Sequence, residues 1–164
     1  MRQVISILLE NEAGALSRVV GLFSQRGYNI ENITAAPTED KSISRITILT
    51  EGDGTVVERI TKKLVNVIKV SSQQDNSCDI VEREILFVKV QAVGHTLREE
   101  IKTLCDIFKA EIVDITPELY ILQFVNTSFE VDRFLKAVSE QAEVIETVRS
   151  GVCGIFRGEH SLHS

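Results

Sequence analysis

The thiols and imidazoles that this 164-residue chain could bring to nucleophilic or metal chemistry are those of three cysteines, Cys78, Cys105 and Cys153, and three histidines, His95, His160 and His163. The cysteines lie far apart with no CxxC pair, and His160 and His163 fall in a short tail, so no zinc cage is expected. His95 enters a helix without a cysteine or carboxylate pair at ligand spacing and reads as a surface histidine. Cys105 sits on an apolar helix face, where a thiol behaves as a small hydrophobe; Cys153 has no evident role. The carboxylates Glu82, Glu84, Glu99 and Glu100 read as a solvated face rather than an acid/base pair. GxGxxG, P-loop, GxSxG and HExxH patterns are absent, so no catalytic residue is assigned.

Binding chemistry is better placed. In Asn11-Glu12-Ala13-Gly14-Ala15-Leu16 a strand ends and a helix begins. A helix N-terminus offers unpaired N–H groups and roughly half a positive charge, and Gly14 lets a ligand approach the backbone with no Cβ in the way. A small carboxylate suits such a mouth. The Asn29 amide, in Tyr28-Asn29-Ile30, can both donate to and accept from the polar groups of an amino acid. The plainer alternative is that Gly14 and Gly27 shape turns and Asn11 caps.

The elements that would position these groups follow from apolar periodicity. Val4 to Leu9 alternates as a strand; Leu16, Val19, Val20 and Phe23 line a helix face that Gly27 stops. Tyr28 to Ala36 and Ile43 to Thr50 form a hairpin about Pro37 to Ser42. Thr55 and Glu58 form a capping box for a helix through Val56, Val57, Ile60 and Leu64, and Val65 to Val70 closes as a strand. After a polar linker, Ser71 to Asp79, the order returns. Ile85 to Val90 is a strand; Leu97, Ile101, Leu104, Cys105 and Phe108 line a helix; Glu111 to Ile115 and Leu119 to Val125 form a hairpin. Thr127 and Glu130 cap a helix through Val131, Phe134, Leu135 and Val138, and Val144 to Val148 is the last strand. The fold class is α+β: two βαββαβ domains, residues 1–75 and 80–158, each with an antiparallel sheet carrying its helices on one face.

Composition bounds the rest. With 43% apolar and 26% charged residues the chain is expected to fold around a core, and its net charge of −6 gives no general attraction to nucleic acid or anionic membranes. No apolar run is long enough to span a bilayer and no secretory leader is evident, so a cytoplasmic location is expected, in keeping with reduced thiols. Domains this small, with open sheet edges and one uncovered face, are expected to self-associate, the first halves pairing through these surfaces.

Asn11-x-Ala-Gly14-x-Leu16 followed by Gly27-Tyr28-Asn29-Ile30 resembles the ligand-binding segment of ACT domains, which are ferredoxin-like. The string LSRVVGLFSQRGYNIENITAAPTED, the linker, a second ferredoxin-like half with DITPELY, and the ending RSGVCGIFRG resemble the small regulatory subunits of bacterial acetolactate synthase (acetohydroxyacid synthase) over nearly the whole chain. Where ACT domains often carry Asp and Pro, this sequence has Asn11 and Ala13. The resemblance implies a homodimeric, non-catalytic subunit that binds and activates the catalytic subunit and confers feedback inhibition by valine or another branched-chain amino acid. Thiamine diphosphate, FAD and Mg would belong to that partner, and this chain would bind no cofactor. It also implies effector sites between paired chains: Asn11, Gly14, Ala15 and Leu16 of one opposite Asn29 and Ile30 of the other, with Thr34 and Ala36 shaping the pocket. Two rival readings on the same topology are weaker: an RNA binder, for which aromatic-rich strands with basic neighbours are missing, and an acylphosphatase-like hydrolase, for which only Arg18 and Asn11 offer support.

Overall fold

Alternation along the first strand decides how the N-terminal half assembles. In the structure, a computed structural model that describes residues 2–51, 67–74, 80–159 and 162, β1 (Arg2–Glu10) turns Ile5, Ile7 and Leu9 to one side. It pairs antiparallel with both β3 (Ile43–Glu51) and β4 (Val67–Gln74), while β2 (Ile30–Pro37) pairs with β3, giving the order β2-β3-β1-β4. Ile46 and Ile48 of β3 join the same face, and helix α1 (Ala15–Gln25) lays Ala15, Val19 and Phe23 on it. The stripe is rotated from the expected one: Leu16 is 43% exposed, and Ala15 takes its place in the core. An i, i+4, i+8 row starting at the first helical residue closes over the sheet, which leaves the neighbouring position facing outward.

Gly27 ends α1 as expected. With φ of 70° it lets its own N–H reach Ser24 O (3.1 Å) and that of Tyr28 reach Phe23 O (3.1 Å), satisfying the last carbonyls. The β2–β3 turn is closed by Asp40, whose carboxylate accepts from Ser42 Oγ (2.7 Å) and N–H (2.9 Å); these bonds hold its pKa below the ordinary value. The Thr55–Glu58 capping box and its helix, and the Gly52-Asp53-Gly54 break, lie outside the described residues. Strand β4 continues through Ser71 to Gln74, residues read from sequence as linker. Backbone pairing, with Gln74 opposite Gln3, carries the ladder past the apolar residues.

The second half repeats the plan. Strands β5 (Ile80–Gln91), β6 (Glu111–Ile115), β7 (Leu119–Asn126) and β8 (Val144–Arg149) lie in the order β6-β7-β5-β8. Leu86, Val88, Val90, Leu122 and Phe124 face helices α2 (His95–Phe108) and α3 (Ser128–Gln141), which contribute Ile101, Leu104, Cys105, Val131, Phe134 and Val138. The rings of Phe108, Phe124 and Phe134 meet at centroid distances of 4.7 to 6.0 Å. Thr127 caps α3 through Oγ1 and Glu130 N (3.4 Å), but the reciprocal half of the box is absent. Glu130 turns to Arg133 (2.8 Å), and Asn126 Oδ1 takes the Thr127 N–H (2.9 Å).

One expectation for this half is overturned. Glu84 does not belong to a solvated face: it is 3% exposed and held by Arg149, with Nε to Oε1 and Nη2 to Oε2 both at 2.8 Å. A carboxylate this deep needs a partner with matching geometry, and the guanidinium fork, which also reaches Asp132 (2.8 Å), supplies it. Sequence neighbours of like charge give no sign of such a pairing across strands β5 and β8.

The chain groups into two compact units, residues 1–81 with 152–164, and 82–151. The two sheets treat their helix-free faces differently. In the second unit Ile85, Phe87, Val125 and Val148 stay partly exposed, with Ile85 opposite Val125 and Phe87 opposite Val148 in register. In the first, the face expected to be uncovered buries Ser6, Leu8, Thr47 and Leu49, and the C-terminal segment leading into β9 (Cys153–Phe156) hydrogen-bonds to its β2–β3 side. Among the described residues no helix is long and apolar enough to cross a membrane.

Cys105 is buried in the second core, and desolvation followed by the nearby Asp106 raises its pKa from 9.0 to about 11. The folded state therefore keeps this proton where the unfolded chain loses it, so the thiol favours folding below about pH 9 and loses that contribution as pH rises through 11. Urea unfolding should show stability falling over this window, with a shallower fall in Cys105→Ala. Native alkylation at pH 8 with peptide mapping should label exposed Cys153 well before Cys105.

Candidate functional site

The turn from β1 into α1 is built by backbone and one asparagine. Asn11 N–H donates to Ser42 O (2.7 Å) and its Nδ2 to Lys41 O (3.1 Å), stitching this turn to the β2–β3 turn. The side-chain donor expected to meet a ligand is thus used within the fold. Gly14 is the N-cap of α1 with φ of 83°, in the left-handed region that glycine enters without cost, and no side chain caps the helix. A Cβ built there would meet nothing within 4 Å, so the demand for glycine is conformational, and the space in front of it is open.

Beyond Gly14 the helix presents donors. Ala15 N–H donates to Glu12 O (3.2 Å), and the first intrahelical bond runs from Arg18 N–H to Gly14 O (3.0 Å). The N–H groups of Leu16 and Ser17 therefore meet no acceptor among the described residues. Arg18 pairs with Glu12 at 3.4 Å with both side chains about half exposed; this weak contact occupies the arginine on which an acyl-phosphate chemistry would lean. Of the residues expected here, Gly14 and Leu16 are exposed, while the Ala15 methyl is core, 8% exposed.

The other half of the expected site lies elsewhere. Asn29 is exposed just before β2, and its carbonyl accepts from the buried Thr50 Oγ1 at 2.5 Å; Ile30 follows, half-buried against the first core. Ile30 pairs with Thr50, which pairs with Gln3 at the start of β1, whereas Asn11 follows the strand's other end, where Glu10 pairs with Ile43. Asn29 and Gly14 therefore belong to opposite ends of the sheet, about 23 Å apart along β1 at 3.3 Å per residue. Within one chain they form no common pocket. Thr34 lies between, but its hydroxyl donates to Val152 O (3.0 Å) on the helix-free face, and Ala36 is exposed on the edge strand opposite Arg45.

Sequence reasoning did not find Asn32, Arg45 and Thr50. Asn32 Oδ1 accepts the Val152 N–H (3.1 Å), and Arg45 Nη2 donates to Gly154 O (2.8 Å). Their partners lie more than a hundred residues along the chain, and no local pattern announces such contacts. Among the described residues, no group of three His, Cys, Asp or Glu side chains is placed to hold a metal ion.

A four-stranded β2-β3-β1-β4 sheet with α1 on one face and an open, glycine-capped helix mouth after its first strand is the framework of an ACT-type domain, here followed by a second ferredoxin-like unit. Residues 5–72 match the family model of the acetohydroxyacid synthase small subunit-like ACT domain, and residues 83–158 that of the small subunit of acetolactate synthase. The chain belongs to the acetolactate synthase small-subunit family. It is 51% identical over 162 residues to the acetolactate synthase isozyme 3 small subunit of Escherichia coli, covering 97% of this chain and 98% of that one. It is 50% identical to the acetolactate synthase small subunit of Haemophilus influenzae, covering 99% of each. The crystal structure of the acetolactate synthase small subunit from Thermotoga maritima superposes with a TM-score of 0.85 at 31% identity, over 98% of this chain and 99% of that one.

Thr50→Val keeps the shape of the side chain but leaves the Asn29 carbonyl without its buried donor. It should destabilise the protein by about 1 to 2 kcal/mol in urea unfolding and speed amide exchange around Asn29 and Ile30.

Proposed function

We propose that this chain is the non-catalytic regulatory subunit of acetolactate synthase. It binds the thiamine-diphosphate-dependent catalytic subunit in the cytoplasm, raises its activity, and makes it sensitive to valine or another branched-chain amino acid. Thiamine diphosphate, FAD and Mg stay with that partner. The effector domain comprises residues 1–75, and residues 80–158 complete the regulatory subunit. The observation that carries this reading is the open mouth at Gly14, with the amides of Leu16 and Ser17 unclaimed among the described residues, in a chain of this family. Those amides suit a carboxylate, and the exposed Asn29 suits the ammonium and remaining polar groups.

The separation of Gly14 from Asn29 within one chain supports a site shared by two. Edge-to-edge pairing of β2 with β2 about a two-fold axis reverses the strand, bringing the Asn29 end of one protomer toward the Gly14 end of its partner. Asn11, Gly14, Ala15 and Leu16 of one protomer would then supply the loop, with Ile30, Thr34 and Ala36 as the strand wall opposite. A ligand held by both protomers stabilises the pair, so occupancy and packing are linked. Selection among valine, leucine and isoleucine rests on one methylene, about 1 to 3 kcal/mol, and should be modest.

Gly14→Asp is expected to abolish valine binding in calorimetry. Asp enters the left-handed region more readily than most residues, and no atom crowds the site, so the fold should survive while the added carboxylate repels the ligand's own. Unchanged affinity would refute the site. Asn29→His should weaken feedback in the reconstituted enzyme while sparing activation. Gel filtration at micromolar concentration should give a dimer or larger; a monomer would reject the shared site.

A further inference from the structure

The β2–β3 turn is folded by its own side chains. Short polar residues alternate through Thr38, Asp40 and Ser42, and a carboxylate or hydroxyl of that length reaches the backbone two residues away. Thr38 Oγ1 accepts the Asp40 N–H (3.2 Å) and donates to Asp40 O (3.0 Å). Asp40 Oδ1 takes both the N–H (2.9 Å) and the hydroxyl (2.7 Å) of Ser42, and the backbone closes from Ile43 N–H to Asp40 O (2.9 Å) and from Thr38 N–H to Ile43 O (2.9 Å). Asp40 is exposed, so these bonds rather than burial hold it in place.

The folded turn presents two carbonyls to the loop between β1 and α1. Asn11 N–H donates to Ser42 O (2.7 Å), extending the β1–β3 ladder one rung beyond the Glu10–Ile43 pair, and Asn11 Nδ2 donates to Lys41 O (3.1 Å). Only Glu12 and Ala13 stand between Asn11 and Gly14, the N-cap of α1. Backbone bonds inside that stretch are local, from Glu12 N–H to Glu10 O (2.9 Å) and from Ala15 N–H to Glu12 O (3.2 Å), and no side chain caps the helix. Asn11 thus ties the loop to a segment thirty residues away, at a point next to the mouth.

We propose that Asp40 is a positioning residue for the effector mouth: by folding the turn so that the Lys41 and Ser42 carbonyls meet Asn11, it sets where the Leu16 and Ser17 amides stand. This role rests on the effector reading above and deepens it, naming a residue that acts on the ligand through another. Charge separates positioning from ligand contact. On electrostatics alone, removing a carboxylate favours an anionic head at the helix mouth, so a loss of affinity on removing Asp40 reports geometry.

The test uses the full-length protein, alone and reconstituted with the catalytic subunit. Asp40→Ala removes the acceptor that Ser42 uses, Asp40→Asn keeps a carbonyl oxygen in its place, and Ser42→Ala removes the hydroxyl bond alone. Expected for Asp40→Ala are hydrogen exchange at the Asn11 amide about fivefold faster, shifted amide resonances at Leu16 and Ser17, valine affinity by calorimetry about fivefold weaker, and unchanged activation. Exchange at Ile5, Ile7 and Ile48 should stay as in wild type, which reports an intact first core. Asp40→Asn should recover both Asn11 protection and valine affinity to within about twofold, and Ser42→Ala should fall between. Unchanged exchange at Asn11 in Asp40→Ala would overturn the tie between the two turns. Faster exchange with unchanged valine affinity would overturn the positioning role, as would equal losses in Asp40→Asn and Asp40→Ala. If Asp40→Ala also speeds exchange at Ile5, Ile7 and Ile48, Ser42→Ala decides by the same two readouts. Failure of the wild-type protein to bind valine would overturn the effector reading and the positioning role with it, whereas exchange at Asn11 reports on the tie whether or not valine binds.

Discussion

Strand direction in the first sheet is the constraint on which the molecule's design depends. β3 runs antiparallel to β1, and β2 antiparallel to β3, so β2 runs the same way as β1. The end of β1, where the chain turns through Gly14 into α1, and the start of β2, where Asn29 sits, must then lie at opposite ends of the sheet. No side-chain rearrangement brings them together, because ladder hydrogen bonds along both strand pairs would have to break at once. A single ligand touching both would need a second chain.

The same edge strand is engaged on its helix-free face by the chain's own C-terminal segment. Asn32 and Thr34 are two residues apart, and alternation puts them on one face, away from Ile33. β2 therefore has an edge available for pairing, one face in the core, and another committed to Val152. In the second unit, side-chain and backbone bonds hold Arg149 and Ser150. Buried Glu84 holds Arg149 through a bidentate pair, and the guanidinium, whose pKa is raised by those hydrogen bonds first of all, stays charged at any pH the protein meets.

Much of the fold was legible because it is local. The period-two run of β1, the glycine-ended helix α1, the turn at Asp40 and the Thr127 cap all declare themselves within a few residues. Misreadings came where a non-local partner overrode local character. Polar Ser71 to Gln74 form strand because β1 offers them a ladder, Leu16 is outside because the sheet selects Ala15, and Glu84 is inside because Arg149 crosses from another strand. At the candidate site the glycine and its open helix end were readable from residue type. The commitment of Asn11 to Lys41 and of Thr34 to Val152 was not.

By itself the sequence determined the succession of strands and helices, the conformational need for glycine at position 14, and, through its resemblance over nearly the whole length, the family. Tertiary structure alone decided that Gly14 and Asn29 stand at opposite ends of one sheet and that Thr34 and Asn32 serve the C-terminal segment. The physical reason is range. Periodicity and φ preferences act over a few residues and are written in residue order, whereas pairing direction and the partners of a buried polar group are set by which distant segments the folded backbone brings within about 3 Å.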